Sequence, residues 1–205
     1  MLEALTGTGL AASAGLNAYI PLLSMGLLAR YSDLINLPSG WQWLSNGWVI
    51  AILAVLLAVE FVADKVPVLD HVNDVAQTVV RPTAGGLAFG AGSSSETVTV
   101  SDPGQFLSSN QWLPIVVGVA IALGVHGVKA AARPVINAST AGFGAPVAST
   151  AEDATSVLVS LVAIVLPVLV LVFLTGLPLF VLWLVRRRRQ RSREREAARA
   201  AGFRV

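Results

Sequence analysis

The sequence predicts an all-α integral membrane protein with about six membrane segments in two loosely repeated halves. The first observation behind this prediction is composition: 55% of the 205 residues are hydrophobic and 13% are charged, whereas soluble domains carry about 25% charged residues. The second is the position of Trp48 and Trp112, which begin two apolar runs. Because tryptophan favours the membrane–water interface, each run is predicted to enter the membrane there.

Three of the predicted segments are ordinary in length. The first, 7–29, is rich in glycine and is interrupted by Asn17 and Pro21. Small residues let helices approach closely in lipid, so this segment is predicted to be an inner, packed helix. The second, 47–66, and the fourth, 112–132, each run from a tryptophan to a proline.

The other three segments depart from that pattern. The third, 72–92, and the fifth, 134–150, are short and Gly/Pro-interrupted, and they either cross fully or re-enter on one side. The sixth opens at Glu152 and carries no charge from residue 154 to 185. That run is longer than a bilayer needs, which predicts tilt or a kink at Pro167 or Pro178.

Basic residues predict the domain boundary and the orientation. Nine of the 14 Lys and Arg residues lie from Arg186 onward, while the chain before it holds five basic and ten acidic residues. Because basic segments stay cytoplasmic, we predict a polytopic membrane domain over 1–185 and a basic cytoplasmic tail over 186–205. The tail is expected to touch anionic lipids, and its charge is no evidence for nucleic-acid binding. The Lys/Arg-free stretch 93–111 is predicted to lie outside.

Ionisable residues lie at similar depths in the second and fourth segments. Glu60 lies about 18 Å below Trp48, and His126 about 21 Å below Trp112, if both segments are helical. An ionisable group in hydrocarbon costs several kcal/mol unless it is paired or wetted, so such residues face a bundle interior or a polar cavity. The candidate binding residues in these two segments are Glu60, Asp64, Lys65, His126, Lys129 and Arg133. Their opposite signs indicate pairing, either as architectural ion pairs or along a polar path.

Two further groups of polar residues are candidates for a binding site. Glu152 and Asp153 begin the sixth segment, and one of these carboxylates is expected to turn inward. Asp70, His71 and Asp74 are weak candidates for a divalent-cation site, because carboxylate and imidazole suit such ions. An amphipathic interfacial helix explains their spacing better. With no cysteine in the chain, thiolate metal sites are excluded and no cofactor is predicted.

An approximate repeat underlies the prediction of two halves. Val66-Pro67-Val68-Leu69-Asp70 aligns with Arg133-Pro134-Val135-Ile136-Asn137, and each stretch precedes a short, interrupted segment. Paired broken segments are the sequence pointer to a midplane binding site in transporter-like folds. The alternative is that Gly and Pro simply mark closely packed or kinked helices.

Several of these blocks resemble a known family. Glu60-Phe-Val-Ala-Asp-Lys65-Val-Pro67, His126-Gly-Val-Lys129 and Ser149-Thr-Ala-Glu152-Asp153 are similar to the signature blocks of a bacterial membrane family labelled domain of unknown function 4126. The resemblance implies a membrane fold in the bacterial cytoplasmic (inner) membrane. It brings no assigned activity.

The function expected from the sequence is transport. The leading hypothesis is permeation of a small solute, ion or lipid head group through a polar site at Glu60 and His126. The alternative is a non-catalytic accessory or assembly subunit of a larger membrane complex, and homo-oligomers fit either reading. Because no HExxH, nucleophile elbow or phosphate loop is present, the chain is not expected to be an enzyme.

Overall fold

The computed structural model describes residues 2–64, 67–93, 112–140, 143–167, 169–170 and 187, which are helical with short turns and contain no strand. The predicted all-α class is therefore confirmed for this part of the chain. The described α-helices are α1 (Leu2–Leu16), α2 (Tyr19–Tyr31), α3 (Gly47–Ala63), α4 (Pro67–Ser93), α5 (Trp112–Thr140) and α6 (Gly144–Val165), and a 3₁₀ helix covers Ser39–Ser45.

Two of the described helices, α5 and α6, are long and apolar enough to cross a membrane. The 3₁₀ helix and α3, which meet at a bend of 60°, form a third candidate. The exposed surface of α3 agrees with this: the helix buries only Leu53 and Glu60, while Trp48, Val55 and Val59 are 81%, 62% and 60% exposed. Contiguous apolar surface of this kind is rare on soluble proteins, so it indicates membrane association. Six crossings remain a prediction.

Tryptophans mark one end of the helix bundle. The ring of Trp41 lies over Gly90, where a Cβ atom would come within 2.8 Å of it, and Ile115 packs at the same place. This contact brings together the 3₁₀ helix, the last turns of α4 and the first turns of α5. We call this end, which also holds Trp48 and Trp112, the tryptophan end.

Helix α1 runs from the tryptophan end to the middle of the bundle. Gly7, near its start, packs against Phe89 and Ser93 in the last turns of α4. At its other end, the carbonyl oxygen of Leu16 accepts a hydrogen bond from Lys129 Nζ at 3.3 Å. Lys129 follows the centre of α5, so α1 ends about halfway along that helix.

Helix α2 returns from the middle to the tryptophan end. Gly26 packs against the carbonyl of Leu44 and the side chain of Ile50, and Arg30 donates to the carbonyl of Ser45 at 3.0 Å. α1 and α2 thus form a helical hairpin whose two open ends lie at the same end of the bundle. The sequence prediction of one interrupted helix over 7–29 is wrong, because the chain reverses at Asn17 instead of continuing.

Glycines in α4 and α5 serve close packing and do not interrupt the helices. A Cβ on Gly86 would lie 3.0 Å from Ile115, and one on Gly118 would collide with the backbone of Gly85 and the side chain of Phe89. α4 is continuous through Pro82. The prediction of a short, interrupted third segment over 72–92 is therefore corrected: this stretch belongs to one 27-residue helix.

The predicted fifth segment, 134–150, does not exist as a separate element. α5 continues through Pro134 to Thr140, and α6 begins at Gly144. The two halves of the predicted repeat also differ, because Pro67 is the first residue of α4 whereas Pro134 lies inside α5. Membrane helices tolerate an internal proline where neighbouring groups satisfy the freed carbonyl.

The break predicted near Pro167 is present. α6 ends at Val165, and Leu166 has φ −137° and ψ 67°, which is not helical. The chain divides into two compact units, Met1–Val170 and Leu171–Val205. The predicted boundary between 185 and 186 falls in the second unit, of which the structure describes only residue 187.

A buried network of ion pairs at the tip of a helical hairpin

Glu60 forms the deepest ion pair of the described chain. Its Oε1 atom accepts a hydrogen bond from Arg81 Nη2 at 3.0 Å, and the two side chains are 1% and 0% exposed. Glu60 lies in the last turn of α3, and Arg81 lies near the centre of α4. Two charges this far from water are stable only as a pair, because each alone carries a desolvation penalty of several kcal/mol.

His126 joins this pair as a neutral ring. Its Nδ1 atom lies 3.1 Å from Arg81 Nη1, and since a guanidinium group can only donate, Nδ1 must accept. The ring proton is then on Nε2, which lies 3.3 Å from Thr78 Oγ1. His126 is 14 residues from either end of α5, so this contact fixes the helix near its midpoint.

Asp64 is the centre of a second set of contacts, about one helical turn from Glu60. It caps the C-terminus of α3, and its Oδ2 atom lies 3.8 Å from Lys129 Nζ and 3.5 Å from Arg133 Nη2. Ser149 of α6 donates to the same oxygen at 3.2 Å, and Asn73 of α4 donates to Oδ1 at 2.7 Å. Four helices therefore converge on this carboxylate.

Glu152 completes the second set and opens it to the outside. Its Oε2 atom lies 2.8 Å from Lys129 Nζ and 3.1 Å from Arg133 Nη2. The Glu152 side chain is 18% exposed, whereas Lys129 and Asp64 are each 2% exposed. Exposure thus falls from Glu152 inward to Arg81. We use the name ionic network for the following residues: Glu60, Asp64, Arg81, His126, Lys129, Arg133, Glu152 and Asp153.

The tip of the α1–α2 hairpin inserts into the ionic network. The side-chain oxygen of Asn17 accepts from the backbone N–H groups of Tyr19 and Ile20 at 3.0 and 3.2 Å, which caps α2. Its amide nitrogen donates to Asp153 Oδ1 at 3.0 Å. The carbonyl end of α1 thus meets the Lys129 cation, which matches the helix dipole. The Asn17 side chain connects the start of α2 to the Asp153 carboxylate.

Hydroxyl groups extend this polar contact along the seam between α1 and α6. Ser13 Oγ lies 2.6 Å from Ser156 Oγ and 2.7 Å from Ser160 Oγ, and Ser156 donates to the Ser13 carbonyl at 3.1 Å. All three serines are fully buried. The polar side chains of α6 therefore face the α1 side of the hairpin over about two turns, from Asp153 to Ser160.

The structure brings most of the sequence-predicted residues together. Glu60, Asp64, His126, Lys129, Arg133, Glu152 and Asp153 all belong to the ionic network. Both carboxylates of α6 turn inward, where the sequence predicted one. Lys65 lies outside the described residues, as do the side chains of Asp70, His71 and Asp74. In the described part of the chain, no group of three or more His, Asp or Glu side chains could hold a metal ion.

Two central residues were missed from the sequence. Arg81 was not among the residues expected inside the bundle, yet it is fully buried and is the direct partner of Glu60. The partner was expected among His126, Lys129 and Arg133. The available signal was its position in the sequence: Arg81 follows Pro67 by 14 residues and precedes the tightly packed Gly85 by about one helical turn. Asn17 carried a similar signal as the one amide in the apolar run 7–29.

In the part of the chain that the structure describes, the fold is all-helical, two to three helices are long and apolar enough to cross a membrane, and a buried ionic network joins α3, α4, α5 and α6. A family model described as domain of unknown function (DUF4126) matches residues 4–187. The chain therefore belongs to this family, as its sequence blocks indicated. No curated protein and no solved structure matches the chain.

Proposed function

We propose that the protein is a small transporter or permeation protein that passes a small solute, ion or lipid head group through the ionic network at Glu60 and His126. The observation that carries this proposal is the reversal of the chain at Asn17. Helices interrupted in the middle of a membrane protein present free backbone ends to a substrate. Such backbone is tolerated at membrane depth only where it is buried in protein or faces water.

The exposure of the network supports a path that opens on one side. Glu152 is partly exposed, while Glu60 and Arg81 are closed off. The helices α1 and α2 of the hairpin extend from the level of the network to the tryptophan end. A substrate that enters past Glu152 would meet Asp64 and Lys129 first and Glu60 last. Passage to the tryptophan end then requires the hairpin to move.

For the cellular setting, we propose a bacterial cytoplasmic membrane with the tryptophan end outside. The Lys/Arg-free stretch 93–111 follows α4 at this end, and the basic tail 186–205 is proposed to remain cytoplasmic and to contact anionic lipids.

A flux assay tests the proposal. The purified full chain is reconstituted into liposomes, and the uptake of small cations, anions, neutral polar solutes and labelled lipids is compared with protein-free liposomes. Glu60→Gln should abolish the flux that the parent shows, because it removes the charge but keeps the side-chain shape. Asp33→Asn, the same change at an exposed acid, should retain flux. A parent protein without flux, or a folded Glu60→Gln variant with parental flux, would contradict the proposal.

The rival function is an accessory or assembly subunit of a membrane complex. The observation that favours it is the completeness of the pairing: Glu60, Asp64 and Glu152 each have a basic partner within 4.0 Å. In this case the ionic network only holds the helices in register. The chain should then show no flux of its own and should co-purify with a constant membrane partner in stoichiometric amount.

A further inference from the structure

Two buried oxygen atoms beside the hairpin tip lack a hydrogen-bond donor. Glu60 Oε2 and Gln77 Oε1 have no hydrogen-bond partner in the structure, and each residue is 2% exposed. Gln77 precedes Arg81 by one turn on the same face of α4, and Arg81 holds the other oxygen of Glu60. The hydroxyl of Tyr19 forms a hydrogen bond with the Gln77 side chain and interacts electrostatically with Glu60 and Arg81. Tyr19 and Arg81 thus link the two residues that carry these oxygens.

Leaving such acceptors unsatisfied costs about 1–3 kcal/mol each. Both of these atoms are acceptors, so a group that satisfies them must supply a donor or a positive charge.

The charges of the ionic network also indicate that a positive charge is missing. Its described side chains include four carboxylates, Glu60, Asp64, Glu152 and Asp153, and three permanent cations, Arg81, Lys129 and Arg133. His126 adds no charge because Arg81 forces its Nδ1 atom to accept. Among the described residues, the network is one positive charge short of neutrality. Uncompensated charge in a low-dielectric interior is costly.

We infer that Glu60 binds one proton at Oε2 and donates it to Gln77 Oε1. A neutral carboxylic acid is both a donor and an acceptor: Oε1 keeps the hydrogen bond from Arg81, and the new O–H group satisfies Gln77. One proton thus removes both unsatisfied acceptors and neutralises the counted charge. It needs no cavity.

A bound metal ion fits this region less well. The guanidinium group of Arg81 lies 3.0 Å from the same carboxylate and would repel a second cation. The charged or titratable groups that face Glu60 are Tyr19 from α2, Arg81 from α4, His126 and Lys129 from α5, and Asp64 at the end of its own helix. Of these, Arg81 and Lys129 oppose protonation, while Asp64 favours it.

The role of this proton rests on the proposed function: in a transporter, the bound proton would be the transported species or would drive transport. Proton binding itself can be measured without flux. Infrared difference spectra of the purified full chain, recorded while the pH is lowered from alkaline values, show the carbonyl band of each carboxylate that becomes protonated.

We expect one band from a buried carboxylic acid that disappears in Glu60→Gln and remains in Asp153→Asn. Glu60→Gln should also take up one proton fewer per chain than the parent over this pH range. Gln77→Leu removes the acceptor but keeps the volume, so the band should move to higher frequency. This second variant keeps the test decisive if Glu60→Gln does not fold.

Three results would overturn the inference: absence of the band in the parent, persistence of the band in folded Glu60→Gln, and a band that Gln77→Leu leaves unmoved. Sodium or potassium that stabilises the parent but not Glu60→Gln, with no carbonyl band, would assign the site to a metal ion instead. A parent with the band but without any flux would reject transport and leave the proton site standing.

Discussion

Replacing Arg81 by methionine should strongly destabilise the protein at alkaline pH, because it leaves the ionised Glu60 side chain as a lone buried charge. The two side chains are at most 1% exposed and are joined at 3.0 Å, so water cannot replace the lost partner. Breaking a buried pair from one side costs about 3–5 kcal/mol. The double variant Arg81→Met/Glu60→Gln removes both charges and should recover about 2 kcal/mol or more of that loss, since contacting residues couple by about 0.5–3 kcal/mol.

The assay is the free energy of unfolding in mixed detergent micelles, measured for the parent, both single variants and the double variant. Arg30→Met is the matched control: Arg30 donates to the carbonyl of Ser45 on an exposed part of the fold, so its loss should cost about 1 kcal/mol or less. If the two single effects simply add in the double variant, Arg81 and Glu60 do not stabilise each other, and the argument from the ion pair fails.

Two further predictions concern the hairpin and the glycine packing. The chain has no cysteine, so single cysteines at Ala4 and Asn36 should react with an impermeant thiol reagent from one side of the membrane and a cysteine at Phe143 from the other; reaction of Ala4 and Asn36 from opposite sides would exclude the hairpin. Gly118→Ala should lower the stability by about 1–3 kcal/mol, because its Cβ would strike α4, whereas Gly124→Ala on the same helix meets no atom within 4 Å and should be neutral or slightly stabilising. Equal thermal midpoints for the two alanine variants would contradict the packing described for α4 and α5.

The sequence predicts most of the buried charged residues, but it predicts neither the burial of Arg81 nor how the charged residues pair. Depth follows from counting helical residues after Trp48 and Trp112, and this placed Glu60 and His126 at one level. The pairing depends on the rotation of α4, which turns Arg81 inward between them. α4 carries polar residues at several positions, so its buried face could not be chosen from periodicity alone.

The hairpin was beyond prediction for a different reason. Hydropathy measures how apolar a segment is and does not indicate whether the chain crosses or turns back. The direction of α2 is set by tertiary contacts, such as Gly26 against Leu44 and Ile50. The prediction that a separate segment begins at Pro134 was wrong for a similar reason. An internal proline costs a helix about 3 kcal/mol, and contacts outside the local sequence decide whether the helix continues.

The position of α1 has a consequence for biosynthesis. Gly7, Gly9 and Gly15 each pack against a different helix, at Phe89 of α4, Ala163 of α6 and Val125 of α5. Ser13 bonds to Ser156, which lies 143 residues later in the chain. Helix α1 is therefore synthesised before the helices against which these residues pack. A nascent chain that stops before α6 lacks the contacts of α1 with Ser156 and Ala163, so the packing around α1 is complete only after almost the whole described chain has been made.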